Sequence, residues 1–313
     1  MATSPVNSLG AKRSVTVVIP TFNSARFLRE AVDSALAQTV PPMEVIVIDD
    51  GSTDNTPEIM AAYASDPRVR YLRQKNAGQS SARNNGIRAA QGEFIAFLDA
   101  DDRWKPNKLE RQLERFSDEH IGLVFTGSQV FDEHGVRSEN RANESSCDDM
   151  LRSLITTTTF IPSSVVVRKQ CFDTCGLFDE SLKKVEDREM WIRLAKQYRF
   201  SCAPDCLVDY RLHGTAQNLK TEGMEQAYRT TLARAFADGP LQHRRILRWK
   251  AYAFMHYDFS WIYHKSKRHQ DAWRHIVWSL LGYPLPDWGG KLFQVRFARW
   301  RRLRRYTFTP NTP

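Results

Sequence analysis

The feature that most constrains the fold is a short apolar run that ends in a cluster of acidic residues. Residues 94–98 are continuously apolar and of strand length, which is typical of a strand buried on both faces of a parallel sheet. Asp99, Asp101 and Asp102 follow at what would be the carboxyl end of that strand, where open α/β sheets bind their ligands. Three carboxylates packed together there are costly unless a cation or strong hydrogen-bond donors meet them. The segment therefore predicts a binding site.

Two interpretations of the acidic segment are open at this point. Asp99 and Asp101 offer hard oxygen ligands suited to Mg²⁺ or Mn²⁺ held against a phosphate. The structural alternative is that Asp102 caps the next helix and that the other two side chains are solvated in a loop. An Asp-x-Asp pair alone favours the structural alternative, so the choice depends on the rest of the chain.

The segments around this strand predict an α/β fold. Mostly apolar segments of strand length at 15–20, 45–48 and 69–72 alternate with helical patterns and short connections. This order is typical of a parallel, doubly wound sheet. Apolar runs at 121–125 and 164–167 predict further strands, and the polar stretch 132–149 predicts a surface loop. The usual GxGxxG and GxxxxGK[ST] phosphate-binding loops are absent from this part of the sequence.

Composition and charge limit the class of protein. A chain of 313 residues is long enough for one large domain with an added lobe. The net charge of +9 comes from the C-terminal part, because residues 240–313 hold 15 Lys and Arg against 3 Asp and Glu. The first 14 residues lack the apolar segment of a secretory signal, and no window reaches the roughly 18 apolar residues of a membrane span. The five cysteines are odd in number and match no common zinc-site spacing, so we expect reduced and mostly buried thiols.

Seven motifs in a fixed order resemble those of the family 2 glycosyltransferases. They read VIPTFN (18–23), VIDDGSTD (47–54), NxGxSxARNxG (76–86), GEFIAFLDADD (92–102), GLFDESL (176–182), EDxxMWIRL (186–194) and YRLH (210–213). The resemblance implies a GT-A fold, which is a doubly wound, mostly parallel α/β sheet with a nucleotide-binding half. We therefore expect a flexible N-terminus at 1–12, the catalytic domain at 13–239 and a basic, aromatic helical extension at 240–313.

The resemblance also implies a role for each motif. The nucleotide-sugar would be bound by residues that follow the strands: Pro20, Thr21, Phe22, Asn23, Asp50, Gly78, Arg83, Asp99 and Ala100. A divalent cation, Mn²⁺ or Mg²⁺, would be held by Asp101 together with Asp99 and His213. Asp187 would be the general base that takes the proton of an acceptor hydroxyl, in a single displacement that inverts the anomeric centre.

Some of these residues have structural alternatives. Acidic residues such as Glu186 and Asp187 are also favoured in the first turn of a helix. Arg83 could tie its helix to the acidic loop, and a lone histidine such as His213 is often structural.

The function implied is transfer of one sugar from a nucleotide-sugar, expected to be a UDP-sugar, to a hydroxyl group. The acceptor would be a glycan, a lipid-linked sugar or a cell-surface polysaccharide, as in cell-envelope polysaccharide biosynthesis. One alternative is a nucleotidyltransferase, although the glycine-rich phosphate loop of that class is missing after the first strand. The other is a non-catalytic module that binds a nucleotide-sugar or a membrane surface.

The C-terminal extension predicts helices over 241–264 and 271–281 and a last helix with Phe293, Phe297 and Trp300 along one side, beside several arginines. Such a helix can bind an anionic membrane surface, or its aromatic stripe can pack on the catalytic domain. We expect a cytoplasmic protein that is peripheral on the inner face of the cell membrane. Nucleic acid is not an expected partner, because no nucleic-acid-binding motif accompanies the basic residues.

Two RxxRW sequences, at 245–249 and 296–300, match a pattern of processive synthases in the same family. Those synthases carry membrane-spanning helices, which this sequence does not predict. The enzyme implied is therefore non-processive.

Overall fold

A nine-stranded mixed sheet dominates the first part of the chain in a computed structural model, which describes residues 13–144, 147, 149–156, 160–213, 223–282, 299 and 301–303. The chain divides into two compact units, Met1–Leu151 with Thr159–Thr215 and Arg152–Thr158 with Ala216–Pro313. The predicted domain boundary at residue 239 lies later in the chain than this division.

The first unit alternates strands and helices from its beginning, as predicted. Its elements are β1 (Val15–Thr21), α1 (Ala25–Leu36), β2 (Glu44–Asp49), α2 (Thr56–Ala61), β3 (Val69–Arg73), α3 (Gln79–Ala89), β4 (Phe94–Phe97), β5 (Arg103–Trp104), α4 (Lys108–Leu113), β6 (Ile121–Asp132), β7 (Gly135–Asn140), α5 (Met150–Thr156, which continues into the second unit), a 3₁₀ turn (Pro162–Ser164), β8 (Val165–Arg168), α6 (Gln170–Cys175), α7 (Glu186–Ala195) and β9 (Arg199–Arg211).

The sheet has the strand order β3-β2-β1-β4-β8-β6-β9-β5, with β7 paired to β6. Pairing is parallel among β3, β2, β1 and β4 and between β6 and β9. The other four pairs are antiparallel: β8 runs opposite to its two neighbours β4 and β6, β5 runs opposite to β9, and β7 forms a hairpin with β6. The predicted α/β sheet is therefore confirmed. Its continuous parallel part is the half formed by β3, β2, β1 and β4.

Burial explains why the apolar runs become central strands. Every residue of β1, β2 and β4 is buried, as expected for strands covered on both faces. The parallel register pairs Thr21 with Asp49 and Val18 with Phe97. The carboxyl ends of these three strands therefore lie at one edge of the sheet, which brings together the polar motifs that follow them.

One predicted loop is instead a hairpin. Residues 132–149 include β7, which pairs antiparallel with the end of β6, and every residue of β7 is exposed. An exposed edge strand needs no alternating apolar residues, so its sequence resembles a loop.

The second unit is helical in the residues described. It contains α8 (Met224–Ala235), a 3₁₀ turn (Gly239–Leu241), α9 (Arg245–Lys265) and α10 (His269–Gly282). Two of these correspond to the predicted helices over 241–264 and 271–281. Of the predicted last helix, residues 299 and 301–303 are helical, whereas Phe293, Phe297 and Trp300 lie outside the described residues.

Two further predictions concern membrane spans and cysteines. No helix within the described ranges is both long and apolar enough to cross a membrane. None of the five cysteines forms a disulfide, as expected, but only Cys171 and Cys202 are buried; the other three are half-buried, so the expectation of mostly buried thiols is met only in part.

Candidate active site

The acidic turn that follows β4 lies at the carboxyl edge of the sheet, and its first two carboxylates have different partners. Asp99 Oδ1 accepts hydrogen bonds from Arg83 Nη2 at 2.9 Å and from Gln79 Nε2 at 3.2 Å. Asp101 Oδ2 lies 2.9 Å from Nε2 of His213, two residues beyond β9. The structure therefore brings the motifs at 92–102 and 210–213 into direct contact, as a shared site requires.

Asp102, the third carboxylate, is buried and links the acidic turn by hydrogen bonds to the 3₁₀ turn at Pro162–Ser164 and to β9. Its Oδ2 accepts a hydrogen bond from Ser163 Oγ at 2.5 Å, and its Oδ1 accepts one from the N–H of Arg211 at 3.0 Å. Ser163 Oγ also accepts a hydrogen bond from the N–H of Asp99 at 3.1 Å. The alternative that Asp102 caps the next helix is wrong, because the residue before α4 is Asn107.

The electrostatics of the acidic turn favour a cation. Burial, and after it the charge of Asp99, raise the pKa of Asp101 above its ordinary value. Burial, and after it the charge of Asp101, raise the pKa of Asp102 well above its ordinary value. A cation placed beside these groups would stabilise their ionised forms and remove the mutual repulsion.

The donor set at Asp101 fits a divalent cation that is only partly held by protein. Carboxylate and imidazole are ligands that Mn²⁺ accepts, and the carboxylate alone suits Mg²⁺. Among the described residues, no group of three or more His, Cys, Asp or Glu side chains is arranged to hold a metal ion. Asp101 and His213 would therefore supply part of a coordination shell, and the oxygens of a bound diphosphate would supply more of it.

Arg83 joins the acidic turn to α7. Its side chain is 1% exposed, and it pairs with Asp99 at 2.9 Å and, through Nη1, with Glu186 Oε1 at 3.0 Å. Burial alone would lower the pKa of Arg83, but the charges of Asp99 and Glu186 raise it. The structure thus places Arg83 as the tie between helix and acidic loop that the sequence allowed as an alternative. A contact of Arg83 with the diphosphate stays a prediction.

The first turn of α7 carries Glu186 and Asp187. Burial, and after it the charge of Asp187, raise the pKa of Glu186. Val185, the residue before the helix, has φ 62°, a left-handed conformation that is strained for a β-branched side chain. Such strain persists only where the surrounding residues impose it. The fold therefore fixes the position at which α7 starts, and with it the positions of Glu186 and Asp187.

The ends of β1 and β2 are tied together at the same edge. The N–H of Asn23 donates to Ser52 Oγ at 3.0 Å, and Asn23 Oδ1 accepts from the N–H of Thr53 at 2.8 Å. Phe22 is 44% exposed beside this junction, which leaves an aromatic face open to a ligand. The predicted nucleoside-binding stretch from Pro20 to Asn23 therefore adjoins the turn after β2.

Asp50 organises the neighbouring loop. Its Oδ1 accepts hydrogen bonds from Gln74 Nε2 at 2.7 Å and from the N–H of Ala77 at 2.8 Å, and its Oδ2 accepts one from the N–H of Gly78 at 2.8 Å. A carboxylate has lone pairs beyond these three bonds, so a ligand contact stays a prediction. Gly78 has φ 97°, a conformation that favours glycine.

Sequence reasoning missed several residues that shape this site. Ser163 and Gln79 bond to the acidic turn, and Lys183 Nζ lies 3.3 Å from the backbone oxygen of Ala77. The 176–182 motif is fastened through Asn84, whose Nδ2 donates to the backbone oxygen of Phe178 at 2.9 Å. The available signal was that Gln79 lies within the motif at 76–86, at a variable position, and that Lys183 directly follows the motif at 176–182. Ser163 had none.

Comparison with known proteins decides the family. The profile described as glycosyl transferase family 2 matches residues 16–176, just over half of the chain. The chain belongs to glycosyl transferase family 2. The predicted family is therefore confirmed, and the matched segment contains all four motifs of the parallel half of the sheet.

Relatives of this family 2 chain include bacterial glycosyltransferases. An uncharacterised glycosyltransferase of Rickettsia typhi is 33% identical over 210 residues, which cover 64% of each chain. TuaG of Bacillus subtilis, named as a putative teichuronic acid biosynthesis glycosyltransferase, is 33% identical over 64% of this chain and 80% of its own. The chain spans less than two thirds of the length of several relatives: it covers 64% of the Rickettsia typhi protein and 22% of hyaluronan synthase of Pasteurella multocida.

Solved structures show the same fold. TarS of S. aureus in complex with UDP-GlcNAc has a TM-score of 0.64 at 21% identity and covers 85% of this chain and 81% of its own. The mannosyltransferase PcManGT of Pyrobaculum calidifontis, in complex with GDP-Man and Mn²⁺, has a TM-score of 0.61 at 21% identity. The match covers 94% of this chain and 81% of PcManGT. The GT-A fold predicted for the family 2 chain is confirmed by these likenesses.

Proposed function

We propose that this protein is a metal-dependent, inverting glycosyltransferase that moves one sugar from a nucleotide-sugar to an acceptor hydroxyl. The observation that carries the proposal is the contact of Asp101 with His213 at the sheet edge where the nucleotide-binding motifs end. This pair supports a partial cation site at the same edge of the sheet at which Asp50 and Asn23 organise the neighbouring loops.

The donor is expected to be a UDP-sugar, in line with the UDP-GlcNAc bound to TarS. Residues Pro20 to Asn23 and Asp50 would line the nucleoside, with the exposed face of Phe22 against its apolar surface. Asp99, Ala100 and Gly78 would lie along the ribose and diphosphate. Arg83 would act through Asp99, which it holds at 2.9 Å.

Asp101, with Asp99 and His213, would hold Mn²⁺ or Mg²⁺ against the diphosphate. When bound, such a cation neutralises the negative charge that the nucleoside diphosphate gains as the glycosidic bond breaks. The Mn²⁺ bound to PcManGT supports a divalent cation in this fold.

Asp187 would be the general base. Its carboxylate would take the proton of the acceptor hydroxyl while the acceptor oxygen forms a bond to the anomeric carbon, and the bond from that carbon to the diphosphate oxygen breaks. Because a single displacement enters from the face opposite the leaving group, the anomeric configuration inverts. Glu186, held by Arg83 at 3.0 Å, would keep the first turn of α7 in position.

The acceptor would be a glycan, a lipid-linked sugar or a cell-surface polysaccharide, with one sugar added per encounter. The name of TuaG, which refers to teichuronic acid biosynthesis, supports a role with cell-envelope polysaccharides. We place the protein in the cytoplasm, peripheral on the inner face of the cell membrane, where such acceptors are elongated. The basic character of residues 240–313 supports an anionic surface as partner.

Release of nucleoside diphosphate from a panel of nucleotide-sugars, with Mn²⁺ present, tests the proposal. We expect at least one donor to be hydrolysed slowly by water and to raise the melting temperature of the protein. The Asp101→Asn variant should lose both effects. Release of pyrophosphate from a nucleoside triphosphate and a sugar phosphate would identify a nucleotidyltransferase instead, and donor binding without any turnover would identify a binding module.

A further inference from the structure

A cavity lies within the helical unit, between α9 and α10. It has a volume of about 360 Å³, which is within the range of small-molecule sites, about 300–1,000 Å³. Its walls carry two guanidinium groups, three aromatic rings and an imidazole, supplied by Arg245, Arg248, Trp249, Tyr252, Trp278 and His256. None of these residues belongs to the motifs that define the candidate active site.

The two arginines give the cavity an unbalanced positive charge. Both are exposed, and neither has a carboxylate within ion-pair distance in the part of the chain that the structure describes. Other arginines of this unit do have such partners, for example Arg229 with Glu225 at 2.8 Å and Arg268 with Asp271 at 2.6 Å. A planar guanidinium that projects into a cavity suits a carboxylate or a phosphate, which it can bind with two hydrogen bonds.

The aromatic rings offer apolar faces beside that charge. Trp249 is 64% exposed and Trp278 is 41% exposed, so neither indole is fully packed in the helical core. Trp278 also contacts His256 edge to face, with ring centroids 5.2 Å apart. The C–H face of a sugar ring packs on an aromatic ring of this kind, while its hydroxyl groups remain free for hydrogen bonds.

His256 supplies a hydrogen-bond acceptor, and its tautomer follows from its neighbours. His275 Nε2 lies 3.4 Å from Glu225 Oε2, and the carboxylate favours a proton on that nitrogen. His275 Nδ1 is then the acceptor toward His256 Nδ1, 3.1 Å away, which must carry the hydrogen. The remaining nitrogen of His256, Nε2, is left unprotonated. Burial lowers the pKa of His256 to about 4, so this neutral form persists at neutral pH.

We propose that the cavity between α9 and α10 binds an acidic sugar unit, that is, a sugar ring that carries a carboxylate or phosphate group. The guanidinium groups of Arg245 and Arg248 bind the anion, the indole of Trp249 or Trp278 packs on the ring, and His256 Nε2 accepts a hydrogen bond from a hydroxyl. This deepens the proposed function, since the ligand would be a unit of the acceptor chain.

Binding is measured on the full chain without donor or metal, so that the result does not depend on turnover. The probes are a trisaccharide of galacturonic acid, glucose 6-phosphate and neutral maltotriose, with tryptophan fluorescence as the readout. We expect saturable binding of the trigalacturonate, of the sugar phosphate or of both, and at least about tenfold weaker binding of maltotriose, because charge-assisted hydrogen bonds account for such a factor.

The variants distinguish specific binding in the cavity from non-specific electrostatic attraction to a basic surface. Arg245→Gln with Arg248→Gln should weaken binding of the anionic sugar about tenfold or more, and Trp249→Ala should weaken both anionic and neutral sugars. The matched controls are Lys267→Gln, an exposed charge in the turn between the same helices, and Trp273→Ala, which is 43% exposed on α10 and outside the cavity. Both controls should bind as the unchanged protein does.

Three results would overturn the inference. These are equal affinity for the neutral and anionic sugars, an effect of Lys267→Gln as large as that of the arginine replacements, and no sugar binding but arginine-dependent binding to vesicles that contain phosphatidylglycerol. The last would assign the arginines to a membrane surface. A protein that releases nucleoside diphosphate from a donor but fails these binding tests would retain the proposed function and lose only this site.

Discussion

Arg83 and Glu186 are 103 residues apart in the chain, yet Arg83 Nη1 lies 3.0 Å from Glu186 Oε1 in the interior. The same guanidinium holds Asp99, so a single buried side chain fixes the distance between the acidic turn and the first turn of α7. Arg83 therefore positions both the proposed cation site and the proposed base, and it can do so without contact with the donor or the acceptor.

Replacement of Arg83 tests this link. Arg83→Met leaves the buried Glu186 and the partly buried Asp99 without their shared partner, and breaking a buried ion pair in this way costs about 3–5 kcal/mol. We expect a loss of unfolding free energy of that size in urea. The control is Arg88→Gln on the same helix, where the arginine is exposed and the change should cost less than about 1 kcal/mol. Equal stability of the two variants would contradict the role of Arg83.

The contact of Ser163 with the acidic turn gives a second prediction. Ser163→Ala removes the donor to Asp102 Oδ2 and the acceptor for the N–H of Asp99. A buried group left without its hydrogen bond costs about 1–3 kcal/mol, so the variant should be less stable by that amount. We also expect weaker activation by Mn²⁺, because the turn that carries Asp101 is loosened. A variant with wild-type stability and wild-type dependence on Mn²⁺ would show that Ser163 does not position the turn.

The sequence predicted the parallel half of this fold and the edge where the motifs meet, because both depend on local patterns. Continuous apolar runs identify strands covered on both faces, and polar residues after them mark the carboxyl edge. Contacts between distant segments leave no such pattern. Nothing near Ser163 indicated Asp102, 61 residues away, and nothing near Arg83 singled out Glu186 as its partner.

Other misses come from side chains that act against their usual preference. Lys108 follows a helix pattern that a solvated lysine would fit, but it is fully buried, with Nζ 2.7 Å from Gln112 Oε1. Burial lowers the pKa of Lys108 well below the ordinary value.

Gly86 belongs to the motif at 76–86, and the structure gives a packing reason for glycine at this position. A Cβ atom there would lie 2.3 Å from Val18 Cγ1, so the close packing of α3 on β1 requires a residue without a side chain.

Acid should weaken the helical unit through His256. Its pKa in the folded protein is about 4, below the ordinary 6.5 of an unfolded chain. Between these values the unfolded chain binds a proton that the folded protein does not, so stability falls as the pH drops from about 6.5 toward 4. We expect His256→Gln to lose less melting temperature than the unchanged protein between pH 7 and pH 5. Glu225, Arg229 and His275 surround the site in both proteins, so the difference reports the titration of His256 together with its contact with His275, whose pKa burial also lowers. Parallel losses in both proteins would contradict the assignment.

Removal of divalent cations tests the acidic turn. Transfer should fall to background in excess EDTA and return with Mn²⁺ or Mg²⁺, because a cation held by only two protein groups, Asp101 and His213, would be removed readily by a chelator. Asp101→Asn keeps the size of the side chain and removes its charge, so added metal should not restore this variant. Full activity in EDTA would rule out the cation.

Asp187 is proposed to take the proton of the acceptor hydroxyl, and the kinetics of the Asp187→Asn variant test that role. The measurement is turnover at saturating donor and acceptor, together with donor affinity determined separately by thermal shift. A positioned general base contributes a factor of about 10² or more, so turnover should fall at least that far while donor affinity changes little. Loss of donor binding with turnover retained at saturation would place Asp187 in the nucleotide pocket and contradict the account.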